Sequence, residues 1–155
     1  MSYTIEAVGH VQGGRVEATD DDWGESEAVI ELDARFGADT LAGLDSFSHA
    51  EIVYLFHQVE ADEVETGARH PRGRADWPRV GIFAQRGKNR PNRIGVTICR
   101  IVGVAGRTLA VRGLDAIDGT PVIDIKPLLS GFLPREPVRE PDWARAIMAR
   151  YWSAA

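Results

Sequence analysis

The sequence predicts a mainly β chain, a small antiparallel β-barrel with one short C-terminal helix. Three observations carry this. Segments in which apolar and polar residues alternate recur along the chain. Glycine-rich turns separate them at the spacing of hairpins rather than of strand–helix–strand units. Helical periodicity of apolar residues appears at one place only, close to the C-terminus.

Taken in order, YTIEAVGHVQGGRVEAT (residues 3–19) alternates around Gly13-Gly14, a hairpin signal. EAVIELDARF alternates again, with Val29 and Phe36 marking the span of a strand, and residues 39–44 allow a short helical turn. HAEIVYLFHQVE holds five consecutive large apolar residues, 52–56, the pattern of a strand buried on both faces. Residues 61–80 read as a long polar loop, of a length that is usually functional or mobile. GVTICRIVGV, AGR and TLAVRGL form a second hairpin, and TPVIDIKP is a further strand. The helix is PDWARAIMARYW, about 141–152, with Pro141 at its start and Trp143, Ile147 and Tyr151 on one stripe. The 155 residues are expected to form a single domain, its motif-bearing core at about 3–130.

Composition narrows the class. An apolar fraction of 44% and a charged fraction of 26% are those of an ordinary globular chain. The single cysteine, Cys99, excludes an internal disulfide framework, and its alternating apolar setting reads as a small core residue. With no long apolar run and no signal-peptide layout, a cytoplasmic protein without a membrane partner is expected. Charge is distributed unevenly. Residues 1–65 hold 16 acids and 2 bases, net −14, whereas residues 69–112 hold 11 bases and one acid, net +10. That asymmetry points to a basic face aimed at an anion, unless the two halves neutralise each other within the fold.

The densest cationic stretch is GIFAQRGKNRPNRIG (81–95). Arg86, Lys88 and Arg90 alternate and in extended conformation form a row, Pro91 narrows the backbone of Arg90, and Asn92 and Gly95 tolerate positive φ. Ordered guanidinium groups suit phosphate or carboxylate. In GLDAIDGTPVIDIKP (113–127), Asp115 and Asp118 flank a turn, and Asp124 and Lys126 share a strand face as an ordinary ion pair. The strand at Ile52–Phe56 ends in the polar pair His57-Gln58. His49 and His57 are eight strand residues apart, roughly 26 Å, too far to share a metal, and no metal site is expected. GVAGR (103–107) lacks the full glycine fingerprint of a dinucleotide site.

Three motifs together, SFSHAEIVYLFHQ (46–58), GIFAQRGKNRPNRIGV (81–96) and LDAIDGTPVIDIKP (114–127), resemble the TsaA-like, or TrmO (YaeB), family over about residues 3–130. The resemblance implies a dimeric, non-Rossmann β-barrel methyltransferase that uses S-adenosylmethionine. It further implies methylation of N6 of the threonylcarbamoyl-modified adenosine beside the tRNA anticodon. By the same resemblance His57, Gln58, Arg86, Asp118, Gly119, Thr120 and Pro121 contact the cofactor, and Lys88, Arg90, Asn92, Arg93 and Lys126 face the RNA. Candidates to take the proton from the amine are Asp118, Asp115 and His57, in that order. The chain departs from the family in three ways. QGGRVEATDDDWGES stands where members carry a Pro/Gln-rich cofactor loop, Leu128 follows the DIKP motif in place of tyrosine, and the extension of the longer tRNA enzymes is expected to be absent. Two alternatives stay open, a methyltransferase of the same fold with a small-molecule acceptor and a non-catalytic barrel that binds RNA or the cofactor.

Overall fold

Strand formation follows the alternation closely, and the computed structural model, which describes residues 1–153, places eight strands and one α-helix. They are β1 (Gly9–Gln12), β2 (Glu27–Leu32), β3 (His49–Leu55), β4 (Ala68–Arg69), β5 (Val80–Gly81), β6 (Ile94–Ala105), β7 (Thr108–Arg112), β8 (Pro121–Pro127) and α1 (Asp142–Met148). Six of them close an antiparallel barrel in the order β1-β2-β7-β6-β3-β8, while β4 and β5 form a separate two-stranded ribbon. In β2, Ala28, Ile30 and Leu32 point inward, and Ala50, Ile52 and Tyr54 do the same in β3. They meet Val11, Cys99, Leu109, Val111, Leu114 and Val122 in a single core. Closure leaves the barrel no free sheet edge.

Four expectations need correction. The first hairpin does not form, because the chain after Gly13-Gly14 does not return beside β1, which pairs with β2 instead (Gln12 opposite Val29). Both glycines do take the left-handed conformation. Beyond them, however, Val16 is 73% exposed and offers nothing to bury, while Arg15 bonds Thr19 Oγ1 and the carbonyls of Asp21 and Asp22 and stacks on Trp23. β2 stops at Leu32, and Phe36 packs on the core from a turn closed by its N–H to Asp33 O at 3.0 Å. β3 is not buried on both faces, since Glu51, Val53 and Leu55 face outward and are half-buried. A barrel buries its inner face and leaves the outer one to water or neighbours. Finally, α1 ends at Met148, so Tyr151 lies beyond the helix rather than on its stripe.

Other expectations hold. β6 and β7 form the second hairpin, with GVAGR running into its turn, β8 covers PVIDIKP, and two short 3-10 turns (Ala38–Leu41, Leu44–Ser46) fill the predicted helical stretch. Cys99 is buried, and burial, with the Asp115 charge as second cause, pushes its thiol up to about 12. The 61–80 segment, by contrast, is not the structureless loop expected: it carries a 3-10 turn closed by a capping box between Glu60 and Glu63, then β4, a 3-10 turn at Pro71–Gly73 and the start of β5. No helix among the described residues is long and apolar enough to cross a membrane.

Strand direction decides where the loops gather. β1, β3 and β7 end, and β2, β6 and β8 begin, at one end of the barrel. Segments 13–26, 56–67, 84–93 and 113–120 therefore meet there.

Candidate functional site

The Asp118-Gly119-Thr120-Pro121 turn is locked to the turn after β1. Asp118 Oδ1 accepts the Gly13 N–H at 2.8 Å, and the Asp118 and Gly119 N–H groups donate to Arg15 O and Val11 O at 2.7 and 2.8 Å. Thr120 is buried, its carbonyl accepting Val11 N–H at 2.9 Å. Gly119 has φ +79°, and a Cβ built on it would stand 3.9 Å from His57 Nε2, so the imidazole lies over this turn. His57 is half-buried and its ring has no hydrogen-bond partner among the described residues, and Gln58 beside it is exposed. Thus the strand end and the DGTP turn, more than 60 positions apart in sequence, come together.

Asp115 sits deeper. Its Oδ1 accepts the hydroxyls of Tyr54 (2.9 Å) and Thr97, and its Oδ2 accepts the hydroxyl of Tyr151. Burial first, then the Asp115 charge, raises both phenols well above the ordinary tyrosine value. The Arg86 and Arg72 charges act on Tyr151 in the opposite sense. Tyr54, Thr97 and Tyr151 were not singled out as site residues by the sequence. Only Thr97, a polar residue at an inward position between Gly95 and Cys99 of β6, left a signal.

The basic segment is not an extended row. Arg90 N–H closes on Lys88 O at 2.9 Å, Pro91–Arg93 forms a 3-10 turn, and Asn92 and Arg93 take φ +62° and +53°. Gly95 has ordinary φ; it is there for space, because a Cβ would lie 2.5 Å from the Tyr54 ring. Three of the four cations hold backbone. Arg86 donates to Val96 O (2.6 Å), Arg90 to Gln85 O (2.7 Å) and Arg93 to Val59 O (2.5 Å). Such bonds from a charged donor are worth roughly 1.5–3 kcal/mol each when shielded. Lys88 is exposed, and none of these four has a carboxylate partner among the described residues. The side chain of Asn89 also ties the loop down, donating to Glu63 O at 3.1 Å.

Neutralisation within the fold accounts for part of the charge asymmetry. Arg72 pairs with Asp21 (2.9 Å) and Arg112 with Glu27 (2.5 Å), both across the two stretches, whereas Arg74 pairs with Asp76 (2.6 Å) inside the basic one. Lys126 stands apart from every other candidate. It lies five residues along β8 from Pro121, about 16 Å away, and pairs with Asp124 at 2.6 Å, which raises its pKa.

Residues 19–132 match the family described as the tRNA-methyltransferase O N-terminal domain. The chain is similar to the tRNA (adenine(37)-N6)-methyltransferase of Escherichia coli (strain K12), 41% identical over 98 residues, which are 59% of this chain and 40% of that protein. It is 39% identical over 100 residues to a Rhizobium radiobacter protein named "Probable S-adenosyl-L-methionine-binding protein VirR", covering 64% of this chain and 54% of that one. Among solved structures it is similar to that of TrmO from Pseudomonas aeruginosa, with TM-score 0.72, 27% identity, and coverage of 90% of this chain and 62% of that one. In all three the chain spans less than two thirds of the relative's own length.

Proposed function

The chain belongs to the tRNA-methyltransferase O N-terminal domain family, and on that footing we propose that it is an S-adenosylmethionine-dependent methyltransferase whose acceptor is N6 of the threonylcarbamoyl-modified adenosine beside the tRNA anticodon. The observation that supports this most is the convergence of His57, the Asp118–Pro121 turn and Arg86 at one barrel end.

The residues there suit the cofactor's groups. Arg86 has one N–H on Val96 O, and the rest of its planar fork is free to take a carboxylate. Gly119 presents backbone with no side chain toward His57, which allows close approach. When bound, S-adenosylmethionine supplies an already activated methyl group, so the protein's task is alignment of the amine. The adenine N6 must lose a proton as it is methylated. Asp118 commits Oδ1 to the Gly13 turn, and Asp115 accepts three hydroxyls; both carboxylates therefore have structural work. His57 Nε2, beside Gly119 and without a partner among the described residues, is the group we assign to take the proton. This proposal moves His57 from last to first among the candidates drawn from sequence.

On the RNA side, Lys88 and the unused N–H groups of Arg90 and Arg93 hold phosphates, with Asn92 at the tip of the turn. A cytoplasmic location goes with a tRNA substrate. A homodimer is supported by the outer face of β6, where Ile98 and Val102 are 43% and 52% exposed. One observation favours a small-molecule acceptor instead, namely that Arg90 and Arg93 are partly used as loop clamps.

The test of the assignment is a pair of measurements on His57→Asn. Calorimetric affinity for S-adenosylmethionine should stay within a few-fold of the parent, while the methyl-transfer rate should fall by about 10²–10⁴. An unchanged rate would remove His57 as the proton acceptor.

A further inference from the structure

The C-terminal residues 149–153 follow the helix and lie outside the stretch matched to the family, yet they run against the same barrel end. Asp22 N–H donates to Arg150 O at 3.1 Å, and Trp23 N–H donates to Tyr151 O at 2.8 Å. Gly24 is forced to be glycine by this contact, because a Cβ there would stand 1.9 Å from Trp152 O. Behind the contact Trp23 is 3% exposed, held by its indole N–H on Thr19 O at 3.1 Å and by Arg15 stacked at 4.2 Å. Arg72 pairs with Asp21 of the same loop. The segment thus has a built seat, and its side chain Tyr151 reaches from that seat to Asp115.

Asp115 joins four parts of the chain through one carboxylate. It belongs to the 113–120 loop and accepts Tyr54 from β3, Thr97 from β6 and Tyr151 from the C-terminal segment. Three residues later comes Asp118, the first residue of the turn over which His57 lies. We infer that Tyr151 is a positioning residue of the cofactor site: its hydroxyl latches the C-terminal segment to Asp115 and so fixes the loop that carries the Asp118–Pro121 turn. This rests on the reading of that barrel end as the S-adenosylmethionine site. The segment then supports the site from beyond the barrel, through Asp115.

The experiment compares the full chain with Tyr151→Phe, which keeps the ring and the backbone seat and removes only the hydroxyl. Titration calorimetry with S-adenosylmethionine should give a dissociation constant about tenfold weaker, as expected for losing one hydrogen bond to a charged group. The rate at saturating cofactor should stay within twofold, so that KM moves and kcat does not. A merely structural role would lower the melting temperature with no change in cofactor affinity. Gly24→Ala tests the seat independently: it displaces the Trp152 carbonyl, and should weaken the cofactor by a similar factor while hydrogen exchange in residues 149–152 quickens. If Tyr151→Phe fails to fold, Gly24→Ala decides. Parent protein that binds S-adenosylmethionine, with a variant that binds within twofold of it, overturns the positioning role alone. Parent protein that gives no heat at millimolar S-adenosylmethionine overturns the methyltransferase reading, and this inference with it.

Discussion

Replacing Gly95 by alanine measures how tightly the barrel wall is packed at the root of the site. Gly95 lies opposite Tyr54 in the β3–β6 register, and the added methyl would meet Tyr54 Cε2 at 2.5 Å, Tyr54 Cζ at 2.6 Å and Phe56 Cζ at 2.9 Å. Tyr54 cannot swing aside cheaply, since it is 2% exposed and its hydroxyl is held by Asp115. Forcing a methyl into such a site costs about 1–3 kcal/mol, and this contact belongs at the upper end. Alanine recovers roughly 0.5–1 kcal/mol, because glycine loses more backbone freedom on folding. The net loss is therefore about 2 kcal/mol, or roughly 4–8 °C in Tm for a chain of this size. Urea unfolding should show a lower midpoint with unchanged slope. Gly103→Ala on the same strand is the control: no heavy atom lies within 4 Å of its Cβ position, so stability should hold or rise slightly. Equal effects at the two glycines would refute the packing argument.

Other outcomes follow from the same geometry. Arg86→Ala should weaken S-adenosylmethionine by calorimetry, whereas Arg90→Ala and Arg93→Ala should leave it nearly intact and cost about 1–2 kcal/mol of urea stability through the lost carbonyl bonds. Cys99 should resist a thiol reagent at pH 8 in the native protein and react promptly in urea, because its thiol is buried and raised to about 12. Tyr54 and Tyr151 have raised phenol pKa values in the folded state, so they stabilise the fold below the unfolded value of about 10 and less as pH rises above it. The urea midpoint should therefore drop above about pH 10, and less so in Tyr151→Phe. tRNA affinity should fall with salt at a log–log slope of about −2, for three contacts at about −0.7 each from Lys88, Arg90 and Arg93, and a flat response would favour a small acceptor.

Much of the barrel was legible because a strand's period of two is written directly in residues such as those of β2 and β8, and Gly-rich turns punctuate it. The failures have physical causes. At Val16 the alternation continued but no partner surface existed to reward it. In 86–90 the reading assumed extended backbone, whereas the chain turns there and Arg86 and Arg90 each hold a backbone carbonyl of the fold. The turn at Asp118-Gly119 could be read because its residues are adjacent in sequence, whereas its proposed part in the cofactor site came from the family resemblance alone. The Asp115 cluster could not, since Tyr54, Thr97 and Tyr151 come from three distant stretches that only strand order brings together.

The central claim is tested most directly by incubating the purified protein with methyl-labelled S-adenosylmethionine and total tRNA from a strain lacking the homologous enzyme, then digesting the RNA to nucleosides. The account predicts label in the RNA, carried on N6 of the threonylcarbamoyl-modified adenosine and greatly reduced with His57→Asn. Cofactor binding without any label in tRNA would contradict the tRNA assignment, and label on a different base or on N6 of unmodified adenosine would contradict the acceptor.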